Sequence, residues 1–419
     1  MKYIIKTLVW LNNRLIIRVL LGLLLVSCQH KTVHEEAVRD QYIYKNAESL
    51  IEVSDTAEVI DVTKAIPLSI REFIENLVDS VYFLQLSSKE LIGEVWKLHF
   101  FEDKIYILDR FVAKKVFIFN FKGELLRVID SQGGGPEEYL LLGEIAIEES
   151  KKELLVSDGG STKYLHYSLD GEFLYVTKGI TKSYYYPGSD GIYYNSLGYG
   201  QMRSESNDCH ELLVSKDTSI IRIGFPFFPL QQNAAIGNPF YKNTLGELLY
   251  TSCLCDTVYQ LLSDSSYRAK YVVEQAKSLW KHKDEYLTNS QQTDLVFNQA
   301  YTSFDHSFLE NEDFCVVPIC KKYKRGVLIS PYYYNKENRS VHYLDLEKGF
   351  DSSTPFKKGF FNIVNPKCTY KGYFVGAFNP APVKEGKELL NPSYREILEK
   401  ADENTNPVLI FYKLNPKYK

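Results

Sequence analysis

A polar turn running into a short apolar strand recurs six times between residues 102 and 376, and this recurrence limits the possible folds more than any other feature of the chain. Glu102-Asp103-Lys104 leads into Ile105-Tyr106-Ile107-Leu108-Asp109, and Lys152-Glu153 into Leu154-Leu155-Val156-Ser157-Asp158. Asp190-Gly191 leads into Ile192-Tyr193-Tyr194-Asn195, and Gly246-Glu247 into Leu248-Leu249-Tyr250. Glu312-Asp313 precedes Phe314-Cys315-Val316-Val317, and Lys371-Gly372 precedes Tyr373-Phe374-Val375-Gly376. In the first two copies a hairpin follows: Lys115 to Asn120, a Lys122-Gly123 turn and Glu124 to Ile129, then Lys163 to Tyr167, Asp170-Gly171 and Glu172 to Val176. Glycine supplies the positive φ that such a tight turn needs. Four strands per copy is the anatomy of a propeller blade, and six stacked blades bury faces that one small sheet leaves open. The fold class is therefore all-β, a six-bladed β-propeller, with a sandwich or two separate all-β domains as the alternative.

The repeated strands are expected to be the innermost of each blade. An extra strand, Asp79 to Leu86, precedes them and another, Pro407 to Leu414, follows them. A ring removes its exposed edges when strands from both chain ends share one blade, so 81–86 and 408–414 are assigned to the same, last blade. Composition agrees: 32 Tyr and 24 Phe against 2 Met favour sheet. Val273 to Gln299 and Tyr394 to Ala401 read as short helical insertions on the rim, the second preceded by the capping chemistry of Asn391-Pro392-Ser393.

The first 27 residues carry Lys2, Lys6, Arg14 and Arg18 and no acid, then the uncharged run Val19 to Val26 and Ser27-Cys28. A basic n-region, a short apolar h-region and a small residue before the cut describe an export signal, and eight apolar residues are too few to span a bilayer. Leu25-Val26-Ser27-Cys28 is similar to a bacterial lipobox, which makes Cys28 the lipidated N-terminus of the mature chain. A membrane helix starting near Tyr3 is the alternative, and Arg14 and Arg18 are costly at membrane depth. No second apolar stretch of that length exists, so lipid would be the one anchor. Removing the four basic groups takes the net charge from −4 to −8, which argues against nucleic acid because no Lys/Arg surplus neutralises phosphates. The domain expectation is a signal peptide at 1–27, a flexible tether at 28–64 and the propeller at 65–419. Gln29 after the cysteine resembles outer-membrane sorting, so the expected location is the cell envelope, lipid-anchored at the outer membrane, on its periplasmic or surface face.

Six further cysteines, Cys209, Cys253, Cys255, Cys315, Cys320 and Cys368, are too sparse for a disulfide scaffold. They are expected to be buried free thiols, with Cys315–Cys320 as an alternative disulfide and Cys253-Leu254-Cys255 on a strand. No zinc-finger spacing occurs.

Several segments together carry a family resemblance: the lipobox, Asp79 to Leu86, Ile105 to Asp109, Phe119-Asn120-Phe121-Lys122-Gly123, Gly133-Gly134-Gly135-Pro136-Glu137-Glu138-Tyr139, and Asn406 to Tyr412. Over residues 65–415 the chain resembles the six-bladed β-propeller lipoproteins of Bacteroidetes, related in shape to NHL-repeat propellers and without an established activity. The glycine segment of that family usually reads Gly-Gln/Lys-Gly-Pro-Gly-Glu-Tyr. Here Glu137 stands in place of the second glycine, and its β-carbon restricts the loop.

No His-Glu-x-x-His, Gly-x-Ser-x-Gly or phosphate-loop motif is present. No catalytic residue, metal ligand set or cofactor is assigned. His30 and His34 fall in the tether, His99, His166 and His342 in or beside strands, and His306 in Phe304-Asp305-His306 is the most suggestive base. The candidate ligand contacts are Gln132, Gly133, Gly134, Gly135, Glu137 and Tyr139, because consecutive glycines present backbone N–H groups in a concavity. The alternative is a crossover between blades, with Tyr139 as a packed plug. Asp109-Arg110 and Asp158-Gly159-Gly160 hold equivalent places at which acids would bind calcium or simply shape turns. Tyr184-Tyr185-Tyr186 and Tyr332-Tyr333-Tyr334 offer aromatic platforms, although alternation turns part of each triplet into packing.

Two function classes follow. One is a membrane-anchored binding or scaffold lipoprotein that recognises a glycan, peptide or protein partner through propeller loops. The other is a metal-dependent hydrolase or lyase acting at one mouth of the channel. Three or more acidic or histidine groups converging at a channel mouth would favour the enzyme.

Overall fold

The computed structural model describes residues 47–69, 72–180, 184–197, 210–233, 237–305, 307–323, 326–345, 365–380 and 392–419. Their strands form six sheets, the blades of a six-bladed β-propeller. The first blade is Lys97–Phe101, Lys104–Asp109, Lys115–Asn120 and Leu125–Ile129, each antiparallel to the next. The second repeats this pattern with Leu142–Glu148, Glu153–Asp158, Lys163–Ser168 and Phe173–Lys178. The third comprises Tyr185–Pro187, Ile192–Ser196, His210–Lys216 and Ser219–Pro226. The fourth comprises Phe240–Lys242, Leu248–Thr251, Thr257–Leu261 and Ser266–Glu274. In the fifth, the short strands Ser303–Phe304 and Leu309–Glu310 both pair with Phe314–Tyr323, followed by Gly326–Asn335 and Val341–Leu344. The sixth joins the two ends of the chain: Cys368–Tyr370, Tyr373–Phe378, Val408–Leu414 and, outermost, Val78–Gln85. The closure expected from the two unmatched end strands is present, with Tyr412 opposite Val81 and Val408 opposite Gln85.

The six repeated strands are the second of each blade, not the innermost as expected. The innermost strand is the one before each repeated turn. The turns themselves are as the polar and glycine residues require: Glu102, Lys152, Asp190 and Lys371 all hold φ near +50°, as does the hairpin-turn Gly123 at +77°. Each second strand is buried on both faces, because its alternate side chains enter different inter-blade layers. Ile105 and Ile107 pack with Phe117, Val375 and Phe411 toward the sixth blade. Tyr106 and Leu108 pack with Ile145, Ile147 and Leu154 toward the second. The core is thus a set of layers between adjacent blades.

Residues 48–64, expected in a flexible tether, form part of this body. Glu48–Ser49 pairs in parallel with the outer strand of the third blade, Ile51–Glu52 and Glu58–Asp61 with that of the fourth, and Ile66–Leu68 with that of the fifth. Ile60 and Leu68 are buried there, and Glu48 and Asp55 meet Arg222 and Arg268 at 3.0 and 2.5 Å. The strap supplies hydrogen bonds to edges that would otherwise stay open.

The first helical insertion is shorter than its sequence pattern, whereas the second is present at nearly its expected bounds. Only Asn289–Gln299 (α1) of the first is α-helix, started by a Thr288–Gln291 capping box, and the second is Pro392–Lys400 (α2). Cys253, Cys255, Cys315, Cys320 and Cys368 are free, so the Cys315–Cys320 pairing is not made. Cys253-Leu254-Cys255 forms a turn with Leu254 at φ 61°, not a strand. Cys209 lies outside the described residues.

Candidate functional site

The innermost strand of a blade has one edge without a strand partner, and this edge faces the axis. All six contribute to a central channel of about 720 Å³. Near one end, Lys97 lies 3.2 Å from the Glu144 carboxylate on the next blade. Glu144 also accepts the Ile145 N–H at 3.0 Å and the Asn238 amide at 3.5 Å. Burial lowers the basicity of Lys97, and Glu144 opposes that shift. His99, two residues along the same strand, donates from Nε2 to the Ile145 carbonyl at 3.2 Å. Burial first, then the Lys97 charge, push its pKa down to about 3, so the ring is neutral.

Lys367, just before the innermost strand of the sixth blade, makes no ion pair among the described residues. Water reaches it from the channel, yet surrounding protein lowers its pKa, with Glu94 opposing through space. At the same mouth the Arg110 guanidinium lies 5.9 Å from the Trp96 ring centre and 5.2 Å from that of Phe111. Toward the other end Lys242 is paired with Glu149 at 2.7 Å, and the Lys371 ammonium lies 5.1 Å from the Tyr370 ring centre.

Asp109 and Asp158, the calcium candidates, are saturated by the protein. Asp109 Oδ2 accepts the N–H groups of Gly93 and Glu94, and Oδ1 those of Val112 and Ala113, at 2.7 to 3.0 Å. Asp158 Oδ1 accepts from Leu140, Leu141 and Gly160, and Oδ2 from the Ser161 hydroxyl. Each carboxylate ties the segment entering its blade to the loop after the second strand. For Asp158, burial raises the pKa, but these donors together outweigh it and hold the group below the usual carboxylate range.

The glycine segment is the crossover from the first blade to the second. Gly133 N–H donates to the Tyr139 carbonyl at 3.1 Å, and Gly135 N–H to Glu138 Oε2 at 2.7 Å. An anion from the chain itself therefore occupies the Gly135 donor. Lys163 ties the loop further, donating to the carbonyls of Gly135 and Glu138. Tyr139 is fully buried, with its hydroxyl donating to the Lys114 carbonyl at 2.8 Å. Gln132, Gly134 and Glu137 are exposed. A β-carbon on Gly134 would meet nothing within 4 Å, whereas one on Gly133 would fall 2.0 Å from the Glu138 carboxylate.

Glu148, Glu153 and His166 are brought together in the second blade, within 4.8 Å of one another. None of the three lines the channel. His166 is hydrogen-bonded to Glu153 and Thr177, both at 2.8 Å, Tyr175 donates to Glu153, and Lys151 and Tyr193 bond Glu148. Polar partners on every member make this a structural network rather than an open ligand set. The tyrosine triplets do not form platforms: Tyr184, Tyr185 and Tyr332 to Tyr334 are buried, and Tyr186 is half-buried. Cys28 and His306 lie outside the described residues.

The channel residues Lys97, Glu144 and Lys367 escape sequence reasoning. Their one sequence signal is a polar residue inside or beside a weak strand preceding each repeated turn, as in Trp96-Lys97-Leu98-His99.

Residues 57–413 match the family model described as a domain of unknown function, DUF4934. The crystal structure of a Bacteroides fragilis protein described as exported is 19% identical, with a TM-score of 0.69, and the match covers 86% of this chain and all of that one. A member of the DUF4221 family from Bacteroides vulgatus is 13% identical over 81% of this chain and 98% of its own, with a TM-score of 0.47. No curated protein sequence matches the chain.

Proposed function

We propose that this chain, which belongs to the DUF4934 family, is an exported, lipid-anchored binding protein that takes up a small ligand in its central channel. The observation that carries this reading is the contrast between the channel and the other candidate sites. Asp109, Asp158, the Gly133 and Gly135 N–H groups and the Glu148–Glu153–His166 group are engaged by the protein, whereas the channel is wide and its wall carries Lys367, which makes no ion pair among the described residues. Its volume lies within the roughly 300–1,000 Å³ of small-molecule sites. The glycine segment serves the site indirectly, because it feeds the strand that carries Glu144.

A screen of the purified chain against glycans, peptides and metal ions by thermal shift tests the reading. Ser307 is exposed on the channel wall, so Ser307→Trp would fill the lumen without entering the core. Loss of the bound ligand in that variant, with an unchanged melt, is the expected result. Unchanged binding would move the site out of the channel. Turnover of a hit, abolished by chelator, would replace binding with the metal-dependent hydrolase or lyase.

Export and anchoring rest on the basic and apolar segments ahead of Leu25-Val26-Ser27-Cys28 and on the exported Bacteroides fragilis neighbour. Among the described residues no helix is long and apolar enough to cross a membrane. Cys28→Ala should abolish lipidation and release the chain from the membrane fraction. Wild-type processing and partitioning of that variant would refute the anchor.

A further inference from the structure

We propose that the Lys97 end of the channel binds the carboxylate of a small hydroxyl-bearing molecule, with Lys367 as its ion-pair partner. This rests on the channel being the binding site and adds the chemistry of what enters it.

Lys367 lines this end of the channel and makes no ion pair among the described residues, as Lys371 makes none at the other end. Lys97 is matched by Glu144, and Lys242 by Glu149. Glu144 is engaged by Lys97, the Ile145 N–H and the Asn238 amide and makes no ion pair with Lys367. Glu94 opposes the desolvation of Lys367 only through space. Arg110, held over Trp96 at the same mouth, adds a second cation without a carboxylate partner among the described residues. Lys367 and Arg110 are thus cations at this end outside any ion pair of the described residues. A concave site focuses the field of such groups, which favours an anion. A carboxylate beside Lys367 would give this channel-lining ammonium group a charge-assisted hydrogen bond.

Hydroxyl recognition comes from a different observation. Tyr185 lines the same cavity, is 1% exposed, and its hydroxyl has no hydrogen-bond partner among the described residues. A buried hydroxyl without a partner is rare in a folded protein and marks a place where a ligand or a water completes the structure. Ser307 and Asn365 add further polar side chains to the wall. A lone carboxylate would use Lys367 alone, whereas a hydroxylated acid uses both features.

The test titrates the purified full chain, by calorimetry, with D-glucuronate and D-galacturonate, with succinate as a carboxylate lacking hydroxyls, and with D-glucose and D-galactose as neutral counterparts. The uronates should bind, succinate more weakly and the neutral sugars weakest. Lys367→Met should weaken uronate binding by roughly 10- to 100-fold, and Lys367→Arg should retain most of it. NMR of reductively ¹³C-methylated lysines gives a second readout, in which uronate should move the Lys367 titration to higher pH. The proposal is overturned if no carboxylate binds, or if Lys367→Met binds uronate as wild type does. Neutral sugars that bind wild type and Lys367→Met equally, and are lost in Ser307→Trp, would overturn the carboxylate assignment and leave the channel reading standing. Binding that survives Ser307→Trp would remove both.

Discussion

The Asn406 side chain accepts the Ile92 N–H at 2.8 Å across 314 residues of sequence. Its amide also donates to the carbonyls of Ser87 and Glu90, both at 2.7 Å, and Asn406 itself is 1% exposed. One side chain thus fixes the loop leaving the outermost strand of the sixth blade to the start of that blade's third strand. Asn406→Ala would leave one buried N–H and two carbonyls without partners. The expected cost is about 2–4 kcal/mol, read from a denaturant melt. Deleting 406–419 should cost far more, since it removes the third strand of the closing blade. A loss within about 1 kcal/mol, the scatter of surface changes, would refute the closure.

Asp109 and Asp158 should behave as backbone ties. Asp109→Asn and Asp158→Asn each replace an acceptor oxygen by an amide donor facing N–H groups, so each should destabilise by about 1–3 kcal/mol. Calcium and chelator should shift the melting temperature of wild type and variants alike by no measurable amount. A calcium-dependent rise in wild type that both variants lose would make these groups ligands.

Acid sensitivity should follow three histidines. Burial lowers the pKa of His99, His166 and His342 in the folded chain. Below about pH 6.5 the unfolded chain takes up protons that the folded chain declines. Stability should therefore fall as pH drops from about 6.5 toward 4.5, ahead of most carboxylate titration. His342 isolates the effect, because it is buried with neither ring nitrogen partnered among the described residues. His342→Leu should stay within about 1 kcal/mol of wild type at pH 7.5, since it removes an unsatisfied polar group, and should flatten the acid slope. An unchanged slope in stability measurements at several pH values would show that His342 is not among the groups responsible.

Neighbouring glycines should differ sharply. Gly134→Val places its side chain in open space, and its melt should stay within about 1 kcal/mol of wild type. Gly133→Val would drive its β-carbon into the Glu138 carboxylate and break the Gly135–Glu138 hydrogen bond, so a larger loss is expected. Equal melts would mean that the crossover relaxes freely around Glu138.

The sequence alone determined the blade count, the second strand of each blade and the shared last blade. Strands such as Ile105 to Leu108 are apolar on both faces because both faces meet a neighbouring blade, and such runs stand out in any composition-based reading. It misplaced those strands as innermost for the same reason. The true innermost strands, such as Lys97–Phe101, face a wet channel, mix Lys and His with apolar residues, and carry a weaker pattern. The strap was missed because pairings of two to four residues have no period to detect. The six-bladed closure decided what no single blade encodes: that Lys97 meets Glu144 from the next blade, and that Lys367 has no carboxylate partner among the described residues. Charge pairing across a channel depends on which side chains converge on an axis. Local pattern fixes each strand, but convergence exists only once the six blades have closed around that axis.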